Sequence, residues 1–306
     1  MNPIYKNFYR QFYLKTGGFI PTSPLNKNLF PGDYFQIKNG EIVLLGNIYR
    51  NSIISPEDTK FSTVISLNTS SWNFSDGISK PYSSRGSGQN PIEGQFEFSK
   101  QVLAFANKGS FIFRSEEPQC IKISNWKEIQ QQLIINMTNS QFSFRELYIV
   151  TESATATSTT LAIAGESGAE LELVTDDENF GLVDIFGHAS TRTIQCKDIE
   201  YYHRETKNKP SYFKAKKLAV HEEMLTSFVI NFIDKVHTAD EWEIPLFGST
   251  FHNEIDYSRQ ILRQHAQGHF LDTLRSIELN PNTAPLYFTW SDANLDDVEK
   301  LYEFIS

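Results

Sequence analysis

The segment from Glu146 to Glu172 alternates its side chains in a way that suits an extended chain. Between Ala154 and Thr157 small apolar residues alternate with threonines. A period near two is also kept by Leu161, Ile163, Leu171 and Leu173. Because successive side chains leave opposite faces of a β-strand, this period predicts strands. Gly165-Glu166-Ser167-Gly168 is typical of a turn, so the segment is predicted to form a β-hairpin.

The two faces of this hairpin differ from those of an ordinary half-exposed strand. One face is small and apolar, and the other carries serine and threonine with hardly a charge before Glu166. Two interpretations remain open. The hairpin belongs to the sheet of a soluble protein, or its apolar face tolerates lipid while the other face contacts water.

Length and composition favour a globular chain with a substantial core. The 306 residues suffice for one large or two ordinary domains, and 21% charged and 40% hydrophobic residues are ordinary values. The sequence contains no run of 18 or more apolar residues, so no transmembrane helix is predicted. The N-terminus lacks the apolar core of a secretory signal. Cys120 and Cys196 form neither a metal motif nor a disulfide framework. We therefore expect a cytoplasmic location.

The net charge of −9 is unevenly distributed. Residues 221–306 hold 15 acidic and 5 basic residues, a net charge of −10, whereas residues 1–220 hold 22 acidic and 23 basic, a net charge of +1. An acidic C-terminal region joined to a near-neutral body can shield a basic surface, or it can be a well-solvated helical appendage.

Residues 4–15 are predicted to form a helix with an aromatic stripe. Ile4, Phe8 and Phe12 recur every four residues, and basic charge is supplied by Lys6, Arg10 and Lys15. Such a helix suits the surface of an anionic membrane. It could equally dock its aromatic side chains on the protein core.

A basic strand is predicted within residues 207–220. Its lysines cluster at Lys214, Lys216 and Lys217. A cluster of this kind attracts the phosphates of lipid or nucleic acid. Lysines on an exposed edge strand, which discourage association between sheets, are the other explanation.

The remaining patterns predict an α+β fold, with a twisted, mostly antiparallel sheet, flanking helices and a smaller helical C-terminal region. Asn39-Gly40 predicts a hairpin turn, and residues 126–137 a helix. Residues 70–94 are rich in Ser, Gly, Pro and Asn, which favours a long mobile loop. Beyond residue 220, helices are predicted for three stretches: 221–236, 253–279 and 291–306, the last capped by Ser291 or Asn294.

No catalytic motif, metal site or cofactor site is predicted. His265 and His269 lie four apart with His252 upstream, but no glutamate follows His265 as a metalloprotease requires. Residues 176–178 are acidic without the spacing of an EF-hand. The chain is therefore expected not to be an enzyme, although an active site scattered along the sequence remains an alternative.

Three short stretches resemble the gasdermins, pore-forming proteins of cell-death and anti-phage pathways. They are GGFIPTSPL at 17–25, LYIVTE at 147–152, and YFKAKKLAV with DEWEIP at 212–220 and 240–245. The resemblance implies a pore-forming domain at 1–220 and an inhibitory region at 221–306. A protease would remove that region, and pyroptosis-like cell death would follow.

By the same resemblance, the resting chain is a cytoplasmic monomer, and the activated chain oligomerises in the membrane. Segments 60–115 and 147–200 would become two amphipathic hairpins of a β-barrel. Anionic lipid would contact the basic residues Lys6, Arg10, Lys15, Lys214, Lys216 and Lys217.

The chain also departs from the family. Bacterial gasdermins usually carry an acylated cysteine near the N-terminus, whereas both cysteines here lie at or beyond position 120. Their inhibitory tails are shorter than residues 221–306. Asp240 and the serine-rich loop near Arg85 are candidate cleavage sites. The alternative function is a soluble binding module for a protein or nucleic acid.

Overall fold

The computed structural model describes residues 3–22, 27–90, 94–137, 146–175, 185–187, 190–221, 223 and 282–302. Within these ranges the chain forms sixteen strands, four α-helices and two short 3-10 helices at Pro56–Asp58 and Thr69–Trp72. Each strand pairing is antiparallel. The predicted α+β class and antiparallel pairing are confirmed. The strands belong to three sheets rather than the single sheet that was predicted.

An eight-stranded sheet forms the body of the protein. Its strands are β1 (Ile20–Pro21), β2 (Asp33–Lys38), β3 (Glu41–Asn47), β4 (Ile65–Ser66), β9 (Gln119–Lys122), β10 (Tyr148–Thr155), β15 (Tyr212–Val220) and β16 (Phe288–Asp292). The central pair is β10 and β15, with Tyr148 opposite Lys217. The Asn39-Gly40 turn joins β2 to β3 as predicted, with both residues at positive φ.

Helices cover both faces of this sheet. On one face lie α1 (Pro3–Lys15) and α4 (Leu295–Tyr302), and on the other lies α2 (Trp126–Met137), whose predicted bounds are confirmed. Ile129, Leu133 and Met137 of α2 are buried because they recur along one side of the helix. No helix among the described ranges combines the length and apolar character needed to cross a membrane.

Two further sheets of four strands each are built from two long hairpins. One sheet contains β5 (Phe74–Asp76), β8 (Phe111–Glu116), β11 (Ser158–Ala164) and β14 (Ile199–Glu205). The other contains β6 (Ile78–Asn90), β7 (Gly94–Phe105), β12 (Ala169–Thr175) and β13 (Thr191–Lys197). The strand orders are β14-β11-β8-β5 in the first sheet and β13-β12-β7-β6 in the second. Strands at the same position in the two orders follow each other along the chain: β13 and β14, β11 and β12, β7 and β8, β5 and β6. Four chain passes therefore form one ribbon that is divided midway. We call β5, β8, β11 and β14 its inner arm and β6, β7, β12 and β13 its outer arm.

The predicted hairpin turn at Gly165–Gly168 is wrong. Strand β11 pairs with β8 and β14, whereas β12 pairs with β7 and β13, so the four residues carry the chain from one arm to the other. A turn motif shows that the chain changes direction between two strands, but it does not show whether those two strands pair with each other. Here each strand pairs with other strands instead.

The predicted mobile loop at 70–94 is also wrong over most of its length. Residues Ile78–Asn90 form β6, which pairs with β7 from Ile78 opposite Phe105 to Asn90 opposite Gly94. Main-chain hydrogen bonds to an adjacent strand do not depend on side-chain type. A Ser- and Gly-rich segment can therefore be held in a sheet by its partner.

Helix α1 stands on the inner arm and docks its aromatic stripe there. Phe8 lies 5.4 Å from Phe111 and Phe12 lies 5.2 Å from Phe113, between ring centroids. The side chains of Ile4, Phe8 and Phe12 are almost completely buried. The prediction that this stripe packs on the core is confirmed for this conformation.

The C-terminal segment, residues 282–302, completes the main core. It comprises α3 (Ala284–Tyr287), β16 and α4. Strand β16 pairs with β15, from Lys216 opposite Asp292 to Val220 opposite Phe288, and Trp290 donates to the carbonyl of Gln130 at 2.9 Å. The predicted start of the last helix at Asn294 is confirmed, but a strand precedes it. The helix predicted at 253–279 lies outside the described residues, as does the helix predicted at 221–236 apart from residues 221 and 223. The domain boundary at 220 stays a prediction.

Candidate functional site

Strand β15 carries the three clustered lysines into the centre of the main sheet. Tyr212, Phe213 and Ala215 are buried, so apolar side chains anchor the first half of the strand. Lys214, Lys216 and Lys217 are half-buried rather than fully exposed. The predicted edge-strand role therefore does not describe them, because β10 pairs along one side of β15 and β1 and β16 pair along the other.

Lys217 lies in a partly buried ionic cluster with the C-terminal segment. Its ammonium is 2.8 Å from the carboxylate of Asp297, which is 3% exposed. The hydroxyl of Tyr148 donates to the same carboxylate oxygen at 2.6 Å. Lys300 contributes a second ammonium at 3.8 Å from Asp297 and pairs with Glu146 at 2.7 Å. The cluster joins α4 to β10 and β15.

Asp297 also closes the first turn of its own helix. Its other carboxylate oxygen accepts from the amide of Asn294 at 3.0 Å, and the amide of Asp297 donates to the Asn294 side chain at 3.2 Å. This reciprocal arrangement is a capping box, which satisfies two amides that a helix start leaves without partners. One carboxylate thus both starts α4 and attaches it to the sheet.

The surroundings keep Asp297 ionised. Burial opposes ionisation, but the ammonium of Lys217 and the hydrogen bonds from Lys217, Tyr148 and Asn294 outweigh it and hold the pKa of Asp297 below its usual range. Burial and the adjacent Asp297 carboxylate raise the pKa of Tyr148, so its hydroxyl stays protonated and donates.

The other two lysines of β15 also face carboxylates. Lys216 lies 2.7 Å from Asp292, its direct partner across the β15–β16 ladder. Lys214 lies 3.5 Å from Glu152 of β10, and its ammonium sits 4.6 Å from the ring centroid of Phe19. Of the three predicted lipid-binding lysines here, two are therefore paired with acidic residues of the C-terminal segment.

The basic residues of α1 form a separate set. Lys6, Arg10 and Lys15 are exposed. Lys6 and Arg10, four residues apart, lie on the side of the helix away from its buried aromatic stripe, and Lys15 is the last residue of the helix. Helix α4 lies beside α1, with the rings of Tyr9 and Tyr302 centred 6.0 Å apart and the hydroxyl of Tyr13 donating to the carbonyl of Ala293 at 3.1 Å. The C-terminal segment therefore contacts both elements that carry the predicted basic residues.

Sequence reasoning proposed that the acidic C-terminal region shields a basic surface, but it did not identify Asp292 or Asp297. The spacing of Asn294 and Asp297 is a capping-box signal, and it could have identified Asp297 as a structured residue. No sequence signal indicated that its carboxylate would face Tyr148 and Lys217, because this contact depends on tertiary packing.

No group of three or more potential metal ligands occurs within the described ranges. The histidines at 252, 265 and 269 and the acidic residues 176–178 lie outside them. Cys120 is buried and Cys196 is exposed, and both are free thiols.

Comparison with known proteins returns structures but no sequence relatives. No protein-family model matches the chain. No curated protein matches it either. The cryo-EM structure of the gasdermin A3 membrane pore matches with a TM-score of 0.33 and 11% identity, covering 72% of this chain and 92% of that one. A bacterial gasdermin from Bradyrhizobium tropiciagri matches with a TM-score of 0.26 and 10% identity, covering 66% of this chain and 81% of that one. Both are gasdermins, the family that the three short stretches resemble.

Proposed function

We propose that the chain is an autoinhibited pore-forming protein. After a protease cuts within its acidic C-terminal region, the body binds anionic membranes, oligomerises and assembles a β-barrel pore that kills the cell. The resting form is a cytoplasmic monomer. No cofactor or catalytic residue takes part.

The observation that carries this proposal is the position of the C-terminal segment. Asp292 and Asp297 neutralise Lys216 and Lys217, and α4 packs beside the basic helix α1. An anionic lipid headgroup offers the same negative charge to the same ammonium groups. The C-terminal segment thus neutralises part of a basic surface, and removal of the segment would leave those lysines without their acidic partners.

The strands of the ribbon are the part of the chain that would form the wall of a membrane pore. Its edges in the described residues are β5 and β6 on one side and β13 and β14 on the other, so each edge can pair with another copy. A sheet that continues from copy to copy satisfies its main-chain hydrogen bonds in lipid only when the ring closes. The self-association that we propose follows from these two edges.

The direct test is imaging of membranes treated with the cut protein. A site for a specific protease is inserted at residue 240 of the full chain, and the intact and cut forms are incubated with vesicles of phosphatidylglycerol and phosphatidylcholine. Electron microscopy should show rings only with the cut form and only on anionic vesicles. Cut protein that stays in the supernatant as a folded monomer would favour the binding module instead.

A further inference from the structure

Residues 61–67 form an open edge of the main sheet. Within the described ranges, β4 pairs with β9 and with no other strand, and β10 takes the opposite side of β9. The amide of Ser62 donates to the carbonyl of Lys122 at 2.9 Å, and the amide of Leu67 donates to that of Pro118 at 2.8 Å. The segment is therefore held along one side only, and we call residues 61–67 the open edge.

Several main-chain groups of the open edge point away from β9. The amides and carbonyls of Phe61, Thr63 and Val64 form no hydrogen bond to any other described residue. In an antiparallel pair, alternate residues bond to the same neighbour, so Ser66 faces outward because Leu67 bonds inward. Four residues of the open edge thus present unused hydrogen-bonding groups.

The side chains of the open edge lack the features that usually keep edge strands apart. Residues 61–67, FSTVISL, contain no charged residue and no proline, whereas protected edges carry lysine, proline or inward-pointing charge. Val64 is 56% exposed and Phe61 is 45% exposed, and both Ile65 and Ile121 of the adjoining β9 are exposed as well. An apolar, uncharged edge with unused main-chain groups favours pairing with another strand.

The positions of the unused groups favour a second copy of the same segment as that strand. Phe61, Thr63, Val64 and Ser66 are spaced symmetrically about the midpoint between Thr63 and Val64. A two-fold axis at this midpoint places Phe61 opposite Ser66 and Thr63 opposite Val64, so the unused groups of one copy face those of the other. The nearest charge, at Lys60, then lies opposite an uncharged residue, and no like charges meet.

We propose that two copies of the chain pair antiparallel through the open edge, across a two-fold axis between Thr63 and Val64. Residues 61–67 are far fewer than the roughly 20–30 residues a side of a stable complex, so the pairing is weak. The chain is therefore monomeric when dilute, in keeping with a monomeric resting form, and it pairs where its local concentration is high. This contact is separate from the edges of the ribbon and does not require a pore.

Sedimentation of the intact chain over a series of concentrations tests the pairing. The parent chain should shift from monomer to dimer near about 100 μM, as expected for a weak interface. Val64→Lys should raise that concentration at least about tenfold, because it places two ammonium groups beside the axis and adds a lysine to the edge. Val64 is more than half exposed, so this change leaves the core intact.

Val43→Lys is the matched control for Val64→Lys. Val43 is an exposed valine on β3, which lies at another edge of the same sheet. This variant should dimerise like the parent chain. A parent chain that stays monomeric at every concentration, or an equal effect of the two substitutions, would overturn the pairing.

Cross-linking locates the contact by a second route. Val64→Cys in a Cys196→Ser background places an accessible thiol on the open edge, since Cys120 is buried. A short bismaleimide should join two copies of the concentrated protein into a covalent dimer, whereas Val43→Cys in the same background should stay monomeric. Cross-linking through Val43→Cys alone would overturn the pairing.

Both measurements use the intact chain without membranes. Failure of the pairing therefore leaves the proposed pore-forming function standing, and absence of dye release from liposomes leaves the pairing standing.

Discussion

The carboxylate of Asp297 lies 2.8 Å from the ammonium of Lys217, although 80 residues separate them along the chain. One residue belongs to the acidic C-terminal region and the other to the basic strand at the centre of the sheet. Their contact is partly buried, and the hydroxyl of Tyr148 donates to the same carboxylate oxygen. It is one of the contacts that join the acidic C-terminal region to the near-neutral body, together with Lys216–Asp292 and Lys300–Glu146.

Asp297→Asn should loosen the C-terminal segment. It leaves the half-buried ammonium of Lys217 without its counter-charge, and we expect the free energy of unfolding to fall by about 3 kcal/mol. On the proposed function, the uncut variant should also release dye slowly from anionic liposomes. Denaturant unfolding and leakage assays measure the two effects.

Glu299→Gln is the matched control for Asp297→Asn. It removes one negative charge from the same helix, at a half-buried position outside the Lys217 cluster. An equal loss of stability in the two variants would show that the charge of the helix, rather than the buried contact, accounts for the effect.

Phe12→Ala should strongly destabilise the fold. Its ring is fully buried and packs against Trp72, Phe113 and Tyr212 at centroid distances of 5.1–5.3 Å. Loss of a large aromatic side chain from a packed core costs about 3–5 kcal/mol. Leu14→Ala on the same helix is the control, since Leu14 is 54% exposed. A loss below about 1 kcal/mol for Phe12→Ala would contradict the docking of α1.

Neutralising the exposed basic residues of α1 should weaken membrane binding. Each lysine or arginine near an anionic surface contributes about 1 kcal/mol, so a triple variant should lose about 100-fold in affinity. The variant replaces Lys6, Arg10 and Lys15 with glutamine, and binding of the cut protein is measured by vesicle flotation.

A second triple variant controls for net charge alone. It replaces exposed lysines elsewhere, namely Lys38, Lys127 and Lys207, with glutamine. If both triple variants bind anionic vesicles equally, α1 does not provide the contact surface.

Stability should fall on mild acidification because of His203. Burial lowers the pKa of His203, against an opposing effect of Glu205, and Lys209 adds to the lowering. The unfolded chain therefore takes up the proton first as pH falls below about 6.5. The contribution of neutral His203 is complete above that pH and is lost as pH falls towards the lowered pKa.

His203→Gln tests this pH dependence. The variant cannot titrate at this position, so its unfolding free energy should change less between pH 7 and pH 5 than that of the parent chain. Parallel pH profiles for the two proteins would contradict the assignment.

Short sequence patterns correctly predicted the helices and turns that depend on residues close together in the sequence. The amphipathic period located α1 and α2, and the Asn-Gly pair located the turn between β2 and β3. These features depend on residues within a few positions of one another. Asn294 as the start of α4 belongs to the same class, because its cap is completed by Asp297 three residues later.

The remaining features depend on partners distant in the sequence. Gly165–Gly168 reads as a hairpin turn until β7, β8, β13 and β14 take their places beside the two strands it connects. The segment 78–90 has a weak strand pattern and is held by β7. In the sequence, nothing distinguishes Asp297 as a buried residue among the many acidic residues of its region. The basic residues and their shielding by an acidic C-terminal region were proposed from the sequence, but the acidic residues that pair with them were not identified.

The measurement that tests the central claim most directly is dye release from anionic liposomes by the full chain with a protease site inserted at residue 240. The intact chain and the cut chain are compared at the same concentration, with cleavage confirmed by gel. We predict release from the cut chain and none from the intact chain. No release from cut, folded protein, or equal release from both forms, would contradict a pore-forming body held inactive by its C-terminal region.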